Sequence, residues 1–141
     1  MKKFLKILLY TFGTLLSIAL ILAIILWIKS PGKTDLITGK DGKPLPGSIS
    51  RIEKIKLGGI DQYMVIRAVD STKPVMLFLH GGPGSPEIAF MRETNTDLEN
   101  DFVMVYWEQR GAGKSYSKDI PVGTMNIKQF VSDAQELSQM L

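Results

Sequence analysis

Between Ile7 and Ile28 the chain reads ILLYTFGTLLSIALILAIILWI, 22 residues without a charge. At about 1.5 Å per residue a helix of this run is about 33 Å long, enough to cross a hydrocarbon layer of about 30 Å. A run so long and so uniformly apolar predicts a membrane-spanning helix rather than a core helix. Tyr10 and Trp27 stand near its two ends, where amphipathic rings suit the membrane interface. Lys2, Lys3 and Lys6 precede it, as they would in a secretory signal peptide. The apolar run, however, exceeds the usual 7–15 residues, and Trp27-Ile28-Lys29-Ser30-Pro31 offers no small-x-small cleavage site. The expectation is an uncleaved signal-anchor at the cell membrane, with residues 1–6 cytoplasmic, residues 7–28 in the lipid bilayer and residues 29 onward outside the cytoplasm. Lys29 and Lys33 work against that orientation.

Charge supports the same division. The net charge is +3, from 17 basic and 14 acidic residues. Lys2, Lys3 and Lys6 account for all of it, leaving everything after the apolar run formally neutral. The excess is therefore an orientation signal, and no nucleic-acid partner is implied. Cysteine is absent, which excludes disulfides, a thiolate nucleophile, cysteine-rich zinc sites and a lipoprotein anchor. There is one histidine, His80. About 110 residues remain to build a core, enough for a small domain but short for an α/β enzyme.

Residues 29–49, rich in Gly, Pro and Lys, have the composition of a linker. Residues 50–141 then read as one α/β domain. Ser50–Leu57 and Tyr63–Val69 alternate apolar and polar residues, and Gly58-Gly59 between them marks a hairpin. Val75–Leu79 is apolar at every position, as in a parallel strand covered on both faces. Phe102–Trp107 is a second such run, after a polar stretch with room for a short helix. Ile127, Phe130, Val131, Ala134, Leu137 and Leu141 then form one helical stripe, and Asn126 and Gln129 have the spacing of a capping box. An amphipathic helix after a buried strand calls for a further parallel strand, of which it would be the crossover.

Chemistry concentrates in His80-Gly81-Gly82-Pro83-Gly84-Ser85-Pro86, directly after the first buried run. A carbonyl under nucleophilic attack gathers negative charge on oxygen, which prepositioned N–H groups stabilise. Paired glycines let main-chain N–H groups approach with no Cβ in the way, and prolines restrict the loop. The glycines alone are equally compatible with a tight turn of no chemical consequence.

HGGPG after one buried strand and YWEQRGAGKS (Tyr106–Ser115) after the next resemble the prolyl iminopeptidase-like branch of the α/β-hydrolases. In that branch an HGGPG loop is followed by a DQRG-x-G-x-S segment. Glu108 stands in place of the Asp, while Gln109, Arg110, Gly111, Gly113 and Ser115 match. The resemblance covers about residues 50–141. It implies the N-terminal part of an α/β-hydrolase fold, a β-hairpin leading into a parallel sheet with flanking helices. It also implies that main-chain N–H groups at Gly81 or Gly82, with Gly82 favoured, form half of an oxyanion hole. The other half would come from the residue after a nucleophile that would follow the helix at 126–141. His80, Pro83, Gly84, Glu108, Gln109, Arg110 and Gly111 are the corresponding loop-shaping residues. No metal or cofactor is implied.

Three other residues or motifs invite a catalytic reading and fail it. Ser115 in Gly113-Lys114-Ser115-Tyr116-Ser117 lacks the second glycine of a G-x-S-x-G elbow and a strand feeding into it. Gly113-Lys114-Ser115 ends like a phosphate-binding loop, but Glu108 stands where that motif needs glycine. His80 precedes any possible nucleophile, whereas a triad histidine in this fold follows it. The expectation is therefore the N-terminal piece of a membrane-anchored serine hydrolase for small peptide, amide or ester substrates, inactive by itself because the triad is absent. The competing expectation is a small membrane-bound interaction or regulatory protein that has lost catalysis.

Overall fold

The computed structural model describes residues 2–29, 33–82 and 84–141. The chain consists of two units, Met1–Gly32 and Lys33–Leu141. In the first, helix α1 spans Lys2–Lys29, extending beyond the expected 7–28 at both ends. Its side chains from Lys3 to Ile28 are all exposed. By length and composition it is able to cross a membrane.

The second unit is built on strands β1 (Ile49–Leu57), β2 (Ile60–Ala68), β3 (Val75–Leu79) and β4 (Val103–Glu108). They form one sheet in the order β1-β2-β4-β3. The β1–β2 and β2–β4 pairs are antiparallel, and only β3–β4 is parallel. The sheet is thus mixed: the two strands after the hairpin pair in parallel, as expected, and the hairpin joins them through an antiparallel β2–β4 pair. Between β3 and β4 lie the short helices α2 (Ile88–Thr94) and α3 (Leu98–Asp101), and α4 (Ile127–Met140) ends the unit.

Strand alternation sends side chains to two cores. Toward α4 point Leu57, Met64, Ile66, Ala68, Val103, Val105 and Trp107, packed with Leu137. Toward α2 and α3 point Val65, Met104 and Tyr106, with Ile52, Met76, Phe78, Met91 and Leu98 against them. Each core also contains a buried ion pair that ties a helix to the sheet. Arg67 of β2 binds Glu99 of α3 at 2.9 Å, and the Tyr106 hydroxyl lies 3.3 Å from the same carboxylate. Burial and the neighbouring Glu99 charge push the Tyr106 phenol up to about 12. On the other face Arg110 binds Asp133 of α4 at 2.9 Å. Charges this far from water persist only when paired and hydrogen-bonded.

Four expectations require correction. The hairpin closes more tightly than the alternation suggested, because Gly58 and Gly59 both take positive φ (52° and 82°), as a two-residue turn requires. Strand β2 therefore begins at Ile60, and Gln62, polar in sequence, is fully buried because Trp107, Asp133 and Leu57 bond its amide. Strand β3 is not covered on both faces: it lies at the sheet edge, and Val75 and Leu79 are 46% and 54% exposed. The stretch 29–49 is more than a linker from Thr34 onward. There Arg67 bonds the Thr34 hydroxyl, the Asp35 carbonyl and the Ser50 hydroxyl, and Thr38 bridges Pro44. Finally, the helix-start box is half made. The Asn126 side chain accepts the Gln129 N–H at 3.0 Å, but the Gln129 amide turns inward to Asp133.

Candidate active site

Parallel pairing sets Leu79 opposite Trp107, so the chain leaves β3 and β4 side by side at their C-terminal ends. Two hydrogen bonds continue the pairing past the strands. The Gln109 main-chain N–H donates to His80 Nε2 at 3.1 Å, and the Gln109 side-chain amide donates to the His80 carbonyl at 2.6 Å. His80 Nδ1 lies 3.2 Å from the Gly81 carbonyl. The imidazole is buried, but Gly81, Gly82 and Gly84 beyond it are exposed. Gly82 has φ 63°, a left-handed conformation that costs any side chain about 1 kcal/mol or more. A Cβ at Gly81 would meet nothing within 4 Å. Neither the Gly81 nor the Gly82 N–H has an acceptor among the described residues. Pro83, also read as loop-shaping, lies outside the described residues.

Behind this loop Arg110 is buried and its guanidinium fully engaged. It bonds both carboxylate oxygens of Asp133 (2.9 and 3.2 Å), the Gly58 carbonyl (3.0 Å) and the Thr124 hydroxyl (3.2 Å). The β1–β2 turn, the segment after β4 and helix α4 therefore meet on one cation. The packing leaves no room at Gly58, where a Cβ would collide with Asp133 and Arg110. Glu108 turns the other way and accepts the Lys114 N–H. At Gly111, φ 79° lets the chain reverse after Arg110. Ser115 is buried; its hydroxyl donates to the Glu108 carbonyl and accepts the Tyr63 N–H at 2.8 Å. Both its proton and its lone pair are thus committed to holding β2 against the end of β4.

Sequence reasoning missed Asp133 and Gln62, the partners that hold Arg110 and Trp107. A signal for Asp133 existed: it falls three residues after Phe130 and four before Leu137, on the inward side of an apolar stripe. Nothing comparable marked Gln62.

A cleft of about 270 Å³ opens above the loop, lined by His80, Gly81, Gly82, Gly84, Gln109, Arg110, Ile127 and Phe130. Glycine main chain forms one wall and the first turn of α4 an apolar one. Among the described residues no group of three His, Cys, Asp or Glu side chains is placed to hold a metal.

No family model matches the chain. Over 98 residues it is 41% identical to the probable aminopeptidase YbaC of Bacillus subtilis (strain 168), a match covering 70% of this chain and 31% of that protein. Its fold is similar to the crystal structure of the proline iminopeptidase-related protein TTHA1809 from Thermus thermophilus (TM-score 0.57, 26% identity, 65% of this chain and 32% of that one). The likenesses support a peptidase-like, α/β-hydrolase-related fold. The chain spans about a third of the length of each of these relatives.

Proposed function

We propose that residues 50–141 supply the oxyanion loop of a serine hydrolase acting on peptide, amide or ester bonds, tethered to the cell membrane by residues 7–28. The observation that carries this reading is the exposed Gly81-Gly82 main chain at the C-terminal end of β3, whose N–H groups have no acceptor among the described residues and whose base His80 and Gln109 pin. A serine attacks the acyl carbon; the carbonyl oxygen of the tetrahedral intermediate is held by the Gly82 N–H and a second main-chain N–H; the leaving group departs with a proton. Donors of this kind are worth about 2.7–4 kcal/mol each when removed from a working site.

His80 takes no part in the proton transfer, because Gln109 occupies its Nε2. Ser115 is not the nucleophile, because its hydroxyl is spent on the backbone. The names of those relatives, a probable aminopeptidase and a proline iminopeptidase-related protein, favour an amide of an N-terminal residue as substrate.

The 141-residue chain is expected to take no label from a fluorophosphonate probe and to hydrolyse neither a p-nitrophenyl ester nor an amino-acid anilide. A serine labelled in this chain would overturn the reading. Lys2, Lys3 and Lys6 favour a cytoplasmic N-terminus with the domain outside, so externally added protease should digest residues 33–141 on intact cells.

A further inference from the structure

We propose that His80 is a positioning residue that works only as the neutral, Nδ1-protonated imidazole, so that taking up a second proton releases the glycine loop. A main-chain N–H has a proton to give and nothing to accept with, so the 3.1 Å bond from Gln109 requires a lone pair on His80 Nε2. The ring proton therefore sits on Nδ1, 3.2 Å from the Gly81 carbonyl, which accepts it. One ring thus joins the segment after β4 to the first glycine of the loop. Protonating Nε2 would set one N–H against another at hydrogen-bond distance. The main-chain bond to Gln109 is then lost; the Nδ1–H bond to the Gly81 carbonyl and the Gln109 side-chain bond to the His80 carbonyl remain, but the ring that orients Gly81-Gly82 is no longer held through Nε2 to the segment after β4.

The charged groups around the ring are few. Arg110 lines the same cleft, with its guanidinium against Asp133 of α4. The other α4 residues in the cleft, Ile127 and Phe130, do not titrate, nor do Gly81, Gly82 and Gly84 of the loop. Glu108, one residue before Gln109, directs its carboxylate to the Lys114 N–H. No carboxylate among the described residues is bonded to either ring nitrogen, so an added proton finds no partner to replace the lost bond. The clamp holds where the imidazole is neutral and fails where it carries a second proton.

This chain contains one histidine, so its ring signals are unambiguous. The test is nitrogen-15 NMR on the full chain in lipid nanodiscs. At the alkaline end Nδ1 should read as protonated and Nε2 as unprotonated. On acidification the amides of Gly81, Gly82 and Gln109 should shift with the same midpoint as the ring. Protection of the Gln109 amide from exchange, corrected for intrinsic rate, should fall about tenfold, as for one lost hydrogen bond. His80→Gln, whose side-chain oxygen can accept the Gln109 N–H without titrating, should leave the loop amides independent of pH. An Nε2-protonated ring, or loop amides that do not follow the ring's midpoint, would overturn the proposal even if the variant does not fold. The inference rests on the hydrolase reading only for its catalytic consequence. Because no substrate or probe is used, its failure and that of the hydrolase reading are distinguishable.

Discussion

At the scale of single residues, the domain depends on a few buried polar groups that share one another's hydrogen bonds. Asp133 has four donors around it: Arg110 Nε and Nη2, the Gln62 amide and the Gln129 amide. Asp133→Asn would leave the Arg110 cation buried without a counter-charge, and such losses run to about 3–5 kcal/mol. Urea unfolding followed by Trp107 fluorescence should show stability fall by that amount. Tyr106 gives a pH dependence of known sign. Burial, then Glu99, raises its phenol from 10.0 to about 12, so the folded state keeps a proton that the unfolded chain gives up first. Its contribution is complete below about pH 10 and is lost as the pH rises toward 12. Melting temperatures across that window should decline less steeply in Tyr106→Phe than in the parent chain.

The elements show how local rules are met or overridden. Helix α4 begins where Asn126 caps it, and Asn126→Ala should cost about 1 kcal/mol, read as a lower unfolding midpoint. The reciprocal bond of the capping box does not form because the Gln129 amide is recruited by Asp133. A buried carboxylate needs donors more than an exposed helix start does, since water serves the latter. Strand β2 shows the same competition: its residues before Tyr63 lie opposite β1 alone, and Ser115 takes the Tyr63 N–H that would otherwise go unpaired. The resemblance between Gly113-Lys114-Ser115 and a phosphate loop ends here, at a serine used to close a sheet.

For the domain as a whole, the uneven cover of the sheet is the decisive property. Strand β4 is enclosed, whereas β3 presents an edge with Leu79 exposed, and α4 leaves Val131 half-exposed beside it. Leu77, Leu79, Val131 and Ala134 line one open groove. A strand edge next to apolar side chains promotes association between chains. Light scattering of the detergent-solubilised protein should rise with concentration, and Val131→Glu should lessen the rise without lowering the melting temperature.

The sequence by itself determined the apolar helix, the hairpin, the two strands that end in loops and the HGGPG loop. Each of these is written in a local period or in residues of restricted backbone, and neighbours along the chain are enough to read it. It did not determine that β2 pairs with β4, that β3 lies at the sheet edge, or that Thr34 and Asp35 belong to the folded unit. Those depend on which strands meet, and Arg67 reaches across more than 30 residues to fix the last of them. Among the candidate site residues, HGGPG and EQRG were legible as motifs, while the bonds joining them were not. Only the tertiary structure sets the His80 ring on the Gln109 N–H and Asp133 on Arg110. The reason is physical: a buried donor or charge must find its partner wherever the fold brings one, and sequence spacing carries no record of that meeting.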